Sequence, residues 1–382
     1  MTSFSQSLAA VKDFLSGGGS LHKLEVEHGI ASKSDGRHLI LDYDQLAVKW
    51  DSPFGYACRG LVLDAATLEV LAAPLKKFFN YGEHYADAVD FRHSVAFEKI
   101  DGTMVNRWWS PHTEKFEYST RFQLPDGLAV TAVNSGIMTW QNMIDRCMAS
   151  FDPAILDSQP KEETWTFEVC SPHNMVVVRH SAFYAKLLAI KNNITLTEKS
   201  VGKYHPHSPR GYTFSSGEEV LVFANSHPAT ELEGFVVVDE NFNRIKIKSD
   251  QYVHLHRMKD GLNGINNLIL LARSNDYGEV VAHFPQFKQD LDTAANIIAD
   301  IVREHETAYN ALKDIPSQKD FAIAVNSKGL LFTGSLFAVR SGKASDIKQS
   351  LLAVPEPAFC RLVKERIFAA LNPGALQSDK VA

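Results

Sequence analysis

The sequence predicts an α+β protein in two parts, a sheet-rich region over residues 1–256 and an all-helical tail over 257–382. Three patterns carry this expectation. Phe4, Leu8, Val11 and Leu15 recur at helical spacing, and Gly17-Gly18-Gly19 then stops the helix. Between Arg59 and Ser249 short β-branched and aromatic runs dominate: Gly60–Asp64, Val95–Glu98, Met104–Trp109, Thr164–Val169, Met175–Arg179, Phe235–Val238 and Arg244–Lys248. After about Arg257 the helical period returns, with Ala294, Ile298, Ile301 and Val302 on one face and Phe359, Leu362, Val363 and Phe368 on another. Prolines near Pro206 and Pro209, and again at Pro355 and Pro357, mark loops or helix starts, because the residue before a proline avoids the helical conformation.

A chain of 382 residues exceeds one ordinary core, and its 45% hydrophobic content suits a protein folded in water. The first ten residues lack a basic stretch followed by an apolar run, and no segment approaches 18 uninterrupted apolar residues, so neither secretion nor a membrane span is expected. Cys58, Cys147, Cys170 and Cys360 show no short pairing, which disfavours a zinc cluster or a disulfide framework and points to reduced thiols in a cytoplasm. A net charge of −6 gives no global attraction to polyanions, so a nucleic-acid partner needs a local basic groove. No long exposed apolar heptad is apparent, and a monomer is expected.

Phe97-Glu98-Lys99-Ile100-Asp101-Gly102-Thr103 places a lysine at the end of an apolar strand, followed at once by an acid and a glycine. Gly102 lets the backbone turn tightly and approach a ligand, and Asp101 can orient the pocket or bind a metal-linked water. Alone the pattern is weak, since K-x-D-G arises by chance in about one chain in ten of this length. Its company changes the weight. Upstream stand Arg59-Gly60 before an apolar strand and Lys76-Lys77-Phe78-Phe79-Asn80; downstream come Glu168 inside an apolar strand, Glu233-Gly234 opening another, and Arg244-Ile245-Lys246-Ile247-Lys248-Ser249-Asp250 followed by Tyr252. Strand alternation puts Arg244, Lys246 and Lys248 on one face, where they repel unless an anion such as a triphosphate lies between them.

These ordered segments, over roughly residues 56 to 256, resemble the motifs of covalent nucleotidyltransferases, most closely those of the phage RNA ligase 1 family. The resemblance implies an antiparallel-sheet nucleotidyltransferase (ATP-grasp-like ligase) domain followed by a helical RNA-specificity domain. It also implies ATP as cosubstrate with Mg2+ or Mn2+, and three steps: AMP transfer to Lys99, then to an RNA 5′-phosphate, then sealing by a 3′-hydroxyl. By the same resemblance Glu168 holds the ribose, Arg59 and Lys77 grip phosphates or the nucleotide, and Phe79 packs in or beside the pocket while Phe78 is core. Glu233 helps bind the metal, Lys246 and Lys248 contact phosphate oxygens, and Gly234 and Tyr252 complete the nucleotide site. A lysine amine is only about 0.1% neutral at pH 7.5, roughly 4 kcal/mol from its reactive form, and cations from Lys246, Lys248 and a metal are expected to lower its pKa.

The chain departs from the family's S-K-G segment with Tyr118-Ser119-Thr120-Arg121-Phe122, where Arg121 stands for the usual lysine and brings a rigid fork in place of a point charge. In Ser274-Asn275-Asp276, Asp276 is the candidate for a second metal ligand. Of the adjacent Trp108 and Trp109, one ring is expected in the core and the other at a surface. The implied partners are single-stranded RNA or the nicked ends of a tRNA anticodon loop. A capping guanylyltransferase or a DNA ligase uses the same lysine chemistry but usually appends a strand-rich barrel, and a non-enzymatic RNA-binding protein has no need of Lys99, Glu168, Glu233, Lys246 and Lys248 together.

Overall fold

The first helix, α1 (Phe4–Ser16), starts where the Ser3 hydroxyl accepts from Gln6 N–H and the Gln6 side chain returns a bond to Ser3 N–H, and it ends at Gly17. With α2 (Leu21–His28) it covers a four-stranded antiparallel sheet ordered β1 (Ile30–Ser34), β2 (His38–Tyr43), β3 (Arg59–Asp64) and β4 (Val70–Ala72). Phe4, Leu8, Val11 and Leu24 pack there on Leu39, Leu41, Leu61 and Leu63. The computed structural model describes residues 2–133, 136–201, 207–262, 264–274 and 277–371, and the chain divides into two compact units, Met1–His254 and Leu255–Ala382.

Two five-stranded sheets complete the first unit. The remaining strands are β5 (Phe79–Asn80), β6 (Ser94–Glu98), β7 (Thr103–Ser110), β8 (Lys115–Ser119), β9 (Glu163–Cys170), β10 (Tyr184–Asn192), β11 (Glu198–Lys199), β12 (Gly211–Tyr212), β13 (Gly234–Asp239) and β14 (Arg244–Lys248). One sheet runs β11-β10-β9-β7-β8 and is antiparallel throughout. The other runs β12-β6-β13-β14-β5, and here the antiparallel expectation needs one correction: β5 lies parallel to β14. The helices of this unit are α3 (Pro125–Val130), α4 (Trp140–Met148), α5 (Pro153–Asp157) and α6 (Gly217–Asn225). Each five-stranded sheet has its own apolar layer: Met143, Ile144 and Cys147 of α4 sit on Phe167 and Leu187, and Val220 and Ala224 of α6 sit on Phe235 and Ile247.

Met175–Arg179 is not a strand. The N–H groups of Val177 and Val178 donate to the Asp101 carboxylate at 2.8 and 2.7 Å, which removes them from any sheet ladder and leaves the segment as a strap. Trp108 is fully buried, whereas Trp109 lies half-buried against Phe116 beneath the Lys161 ammonium. All four cysteines are buried and unpaired.

Helix α7 (Asp250–Leu262) spans the division, and the second unit continues through α8 (Ile265–Ser274), α9 (Gly278–His283), α10 (Lys288–Leu312), α11 (Gln318–Asn326), α12 (Thr333–Arg340), α13 (Ile347–Leu352) and α14 (Glu356–Leu371). In α10 Ala294, Ile298, Ile301 and Val302 are buried as their spacing predicts; in α14 the buried positions are Phe359, Cys360, Val363 and Ile367, while Phe368 is 51% exposed. No described helix is long and apolar enough to cross a membrane.

His305 in α10 is fully buried: Nδ1 donates to the Ile301 carbonyl at 2.7 Å and Nε2 accepts from Phe332 N–H at 3.0 Å, which fixes the neutral ring. Burial lowers its pKa from the ordinary value, so the unfolded chain takes up a proton at a higher pH than the folded one. This stabilisation is present above about pH 6.5 and declines as the pH falls below it. The melting temperature is therefore expected to drop between about pH 7 and 5, and less steeply in His305→Gln; equal slopes would remove His305 as the cause.

Candidate active site

Strand β6 delivers Lys99 one residue past its end, where Lys99 N–H donates to the Gly234 carbonyl at 2.8 Å. That bond brings the first residue of β13 alongside the lysine, and Glu233, one residue earlier, meets it. The two oxygens of the buried Glu233 carboxylate are divided between two ammonium groups, Oε2 to Lys99 Nζ and Oε1 to Lys248 Nζ, both at 2.8 Å. Gly234 permits this closeness: its φ is +147°, and a Cβ there would sit 2.1 Å from the Ile247 carbonyl oxygen. Gly102 plays the corresponding part beside β9, since a Cβ would stand 2.5 Å from the Val169 carbonyl oxygen, and its N–H donates to Glu168 Oε1 at 3.2 Å.

The electrostatics differ from the expectation of a lowered Lys99 pKa. Burial pulls it down, but the Glu233 and Glu168 carboxylates outweigh burial and hold it above its ordinary value. The amine whose pKa falls is Lys246, pushed to about 7 by burial and by Lys77, Lys248, Arg59 and Lys99 around it. Glu168 is pushed up to about 7 by burial, against the pull of Lys99. The strand face of Arg244, Lys246 and Lys248 is therefore less charged than alternation alone implies. Arg244 pairs with Glu198 and Lys248 with Glu233; of these three, Lys246 is the one with no carboxylate partner among the described residues.

Lys99 stands where two recesses meet. One is an apolar slot walled by Leu75, Phe78, Met104, Leu188 and Val236, with Glu168 at its polar side. The other is a cavity of about 530 Å³ lined by Arg59, Lys77, Lys99, Arg121, Lys246 and Lys248. Arg59 Nη1 is buried without a hydrogen-bond partner. Arg121 lines the cavity but is already held by Asp42, with Nη2 to Oδ2 at 2.7 Å. Phe79 packs among Trp50, Tyr56 and Tyr85 on the cavity wall, and Phe78 is core as expected, buried with Leu75 and Ala189, while its ring also lines both recesses. Strand β5 is only two residues long and starts at Phe79, so Phe78 does not take the opposite face of a strand.

Asp101 and Tyr252 stand apart from the recesses. Asp101 Oδ2 accepts from Val177 and Val178 N–H, and Oδ1 accepts the Tyr252 hydroxyl at 2.8 Å, so the carboxylate is filled by the protein itself. His180 Nε2 lies 2.7 Å from the Asp101 carbonyl oxygen and adds another bond to this clasp. Asp276 lies outside the described residues. Among the described residues no group of three His, Cys, Asp or Glu side chains could hold a metal. Magnesium needs only one or two carboxylates when substrate phosphates supply other oxygens; Glu233, expected in that part, has each of its oxygens 2.8 Å from an ammonium group here. The sequence reading passed over Tyr43, Trp50 and Tyr85 at the cationic cavity, which no motif marks.

No family model matches the chain. It is 24% identical over 363 residues to a protein of Autographa californica nuclear polyhedrosis virus described as a bifunctional polynucleotide kinase/RNA ligase, covering 86% of this chain and 49% of that one. It is likewise 24% identical to an RNA ligase of Rhodothermus phage RM378, covering 61% of this chain and 67% of the phage protein. The chain thus spans about half the length of the baculovirus relative and two thirds of the phage one. Among solved structures, an archaeal ATP-dependent RNA ligase aligns over 91% of this chain and 86% of its own, with a TM-score of 0.42 and 13% identity. A Naegleria gruberi RNA ligase with ATP and Mn aligns over 43% of this chain and 52% of its own, with a TM-score of 0.30 and 10% identity. In sequence, over most of its length, this chain is similar to RNA ligases.

Proposed function

We propose that the chain is an ATP-dependent RNA ligase of the phage RNA ligase 1 type that joins 5′-phosphate and 3′-hydroxyl ends through a lysyl-AMP and an RNA-adenylate. One observation carries the reading: a lysine held by a carboxylate at the junction of an apolar slot and a cation-lined cavity. A nucleotide has the matching division, with a flat base for the slot, a ribose near Glu168 and a polyphosphate for the cations.

In the first step the Lys99 ammonium gives up a proton, for which Glu233 Oε2 at 2.8 Å is the adjacent acceptor, and Nζ bonds to the α-phosphorus. The bond from that phosphorus to the bridging oxygen breaks, and pyrophosphate leaves with the electron pair. An oxygen of the RNA 5′-phosphate then attacks the same phosphorus, and Lys99 departs and regains its proton. Finally the 3′-hydroxyl gives up its proton to water and bonds to the RNA 5′-phosphorus, and the anhydride bond to AMP breaks so that AMP leaves with the electron pair. Arg59 and Lys246 supply positive charge to oxygens whose charge grows in each transition state, and Lys77 supplies it to the pyrophosphate that leaves in the first. A divalent cation, Mg2+ or Mn2+, would be held by Glu233 and would neutralise charge at the α-phosphate when bound. Single-stranded RNA, or the cut ends of a tRNA anticodon loop, is the substrate we propose, and the sequence resemblance supports it.

The test is to incubate the protein with magnesium and α-labelled ATP or GTP, resolve covalent adducts on a denaturing gel, and add 5′-phosphorylated single-stranded RNA. A label from ATP that RNA discharges, with circular RNA formed, is the expected outcome. A label from GTP alone would point to capping chemistry, and no label would leave an RNA-binding protein.

A further inference from the structure

The cations of the large cavity are held in different ways. Lys99 and Lys248 share the Glu233 carboxylate, and Arg121 is held by Asp42. Lys77 is held differently. It is buried, has no carboxylate partner among the described residues, and its ammonium lies 5.1 Å from the Tyr43 ring centroid, 5.2 Å from Trp50 and 4.8 Å from Phe79. Ring faces attract a cation through their quadrupole, so they fix its position as a carboxylate does but leave its net charge undiminished.

The cage is built in place. Trp50 packs edge-on to Tyr43, Tyr56 and Phe79 at centroid distances of 5.0 to 5.5 Å. Its segment is pinned on both sides: the Tyr56 hydroxyl donates to the Trp50 carbonyl at 2.8 Å, and the Tyr85 hydroxyl donates to Asp51 Oδ1 at 2.6 Å. Trp50 and Lys77 both line the cavity that Lys99 enters from the side of the apolar slot.

From this geometry we propose that Trp50, with Tyr43 and Phe79, is a positioning residue that holds the Lys77 ammonium, charged and unpaired, for the β- and γ-phosphates of the nucleotide. The inference rests on the function proposed above and adds to it a division of labour. If Lys99 bonds to the α-phosphorus and the base fills the slot, the departing phosphates have only the cationic cavity to occupy. An already adenylated RNA carries no such phosphates, so the cage acts in the first step and not in sealing.

The experiment compares wild type, Trp50→Leu and Trp50→Phe in two assays: lysyl-AMP formation as a function of ATP concentration, and sealing of a chemically pre-adenylated RNA without ATP. Trp50→Leu is expected to raise the ATP concentration for half-maximal labelling about tenfold, with sealing within about twofold of wild type. Trp50→Phe, which keeps a ring face, should recover most of the loss. An equal fall in both assays would make Trp50 a merely structural residue and overturn the proposal, as would unchanged labelling in Trp50→Leu. A thermal melt of each variant guards against unfolding. Failure of the wild type in both assays would instead sink the ligase reading itself.

Discussion

Lys99→Ala is expected to form no detectable covalent AMP adduct, in a protein that melts at the wild-type temperature or above it. The gain or neutrality in stability has a stated cause: removing the ammonium leaves Glu233 still paired with Lys248 at 2.8 Å, so no buried charge is stranded. Lys99→Arg should fail as completely, because a guanidinium does not deprotonate at any pH the protein survives. A competitor exists inside the same cavity. Lys246, with its pKa near 7, has the larger neutral fraction and is the better free nucleophile on titration alone. Position argues the other way, since Lys99 lines both recesses whereas Lys246 lines the cationic one. Adducts that survive Lys99→Ala and vanish in Lys246→Ala would transfer the nucleophile's role to Lys246.

Gly234→Ala should cost about 3 kcal/mol, or roughly 6 to 12 °C in melting temperature of the first unit, and remove adduct formation with it. An added methyl would meet the Ile247 carbonyl oxygen at 2.1 Å and Lys248 Cα at 2.6 Å, both backbone atoms that no rotamer change can clear. At φ +147° the backbone itself also disfavours a side chain. The strands must part, and with them go the anchor of Lys248 and the bond from Lys99 N–H to the Gly234 carbonyl. A variant with wild-type melting and labelling would show that this stretch of β13 and β14 is softer than its contacts imply.

Much of the first unit was legible because its strands alternate or run apolar between turn residues; β3, β6, β7, β9, β13 and β14 fall within a residue or two of their expected spans. Strand β10 was legible in principle, since Ala185, Leu187, Ala189 and Lys191 all point inward, yet a lysine in the inward register breaks the pattern. Its ammonium is satisfied by the Pro74 carbonyl at 3.2 Å and the Phe4 ring, partners far away in sequence. Met175–Arg179 has the composition of a strand and lost that state to a carboxylate some 75 residues upstream, which no local pattern encodes. The same limit applies at the site. Sequence order brings Lys99, Glu168, Glu233, Lys246 and Lys248 to notice, but which of the cations are neutralised depends on Asp42, Glu198 and Glu233 folding against them. Asp101 shows the converse: an acid two residues from Lys99 reads as a ligand, and its oxygens are spent on backbone and Tyr252.

The Glu233 clamp also gives the idle protein a form of chemical discretion. Held by the Glu233 carboxylate with its pKa above the ordinary lysine value, Lys99 exposes less free amine than an ordinary lysine side chain does at the same pH. Aldehydes, cyanate and activated esters that wander into the cleft would thus find Lys99 a poorer target than an ordinary lysine. A side chain kept reactive at all times would be consumed by such bystanders; one that must first be released from a carboxylate is spared them.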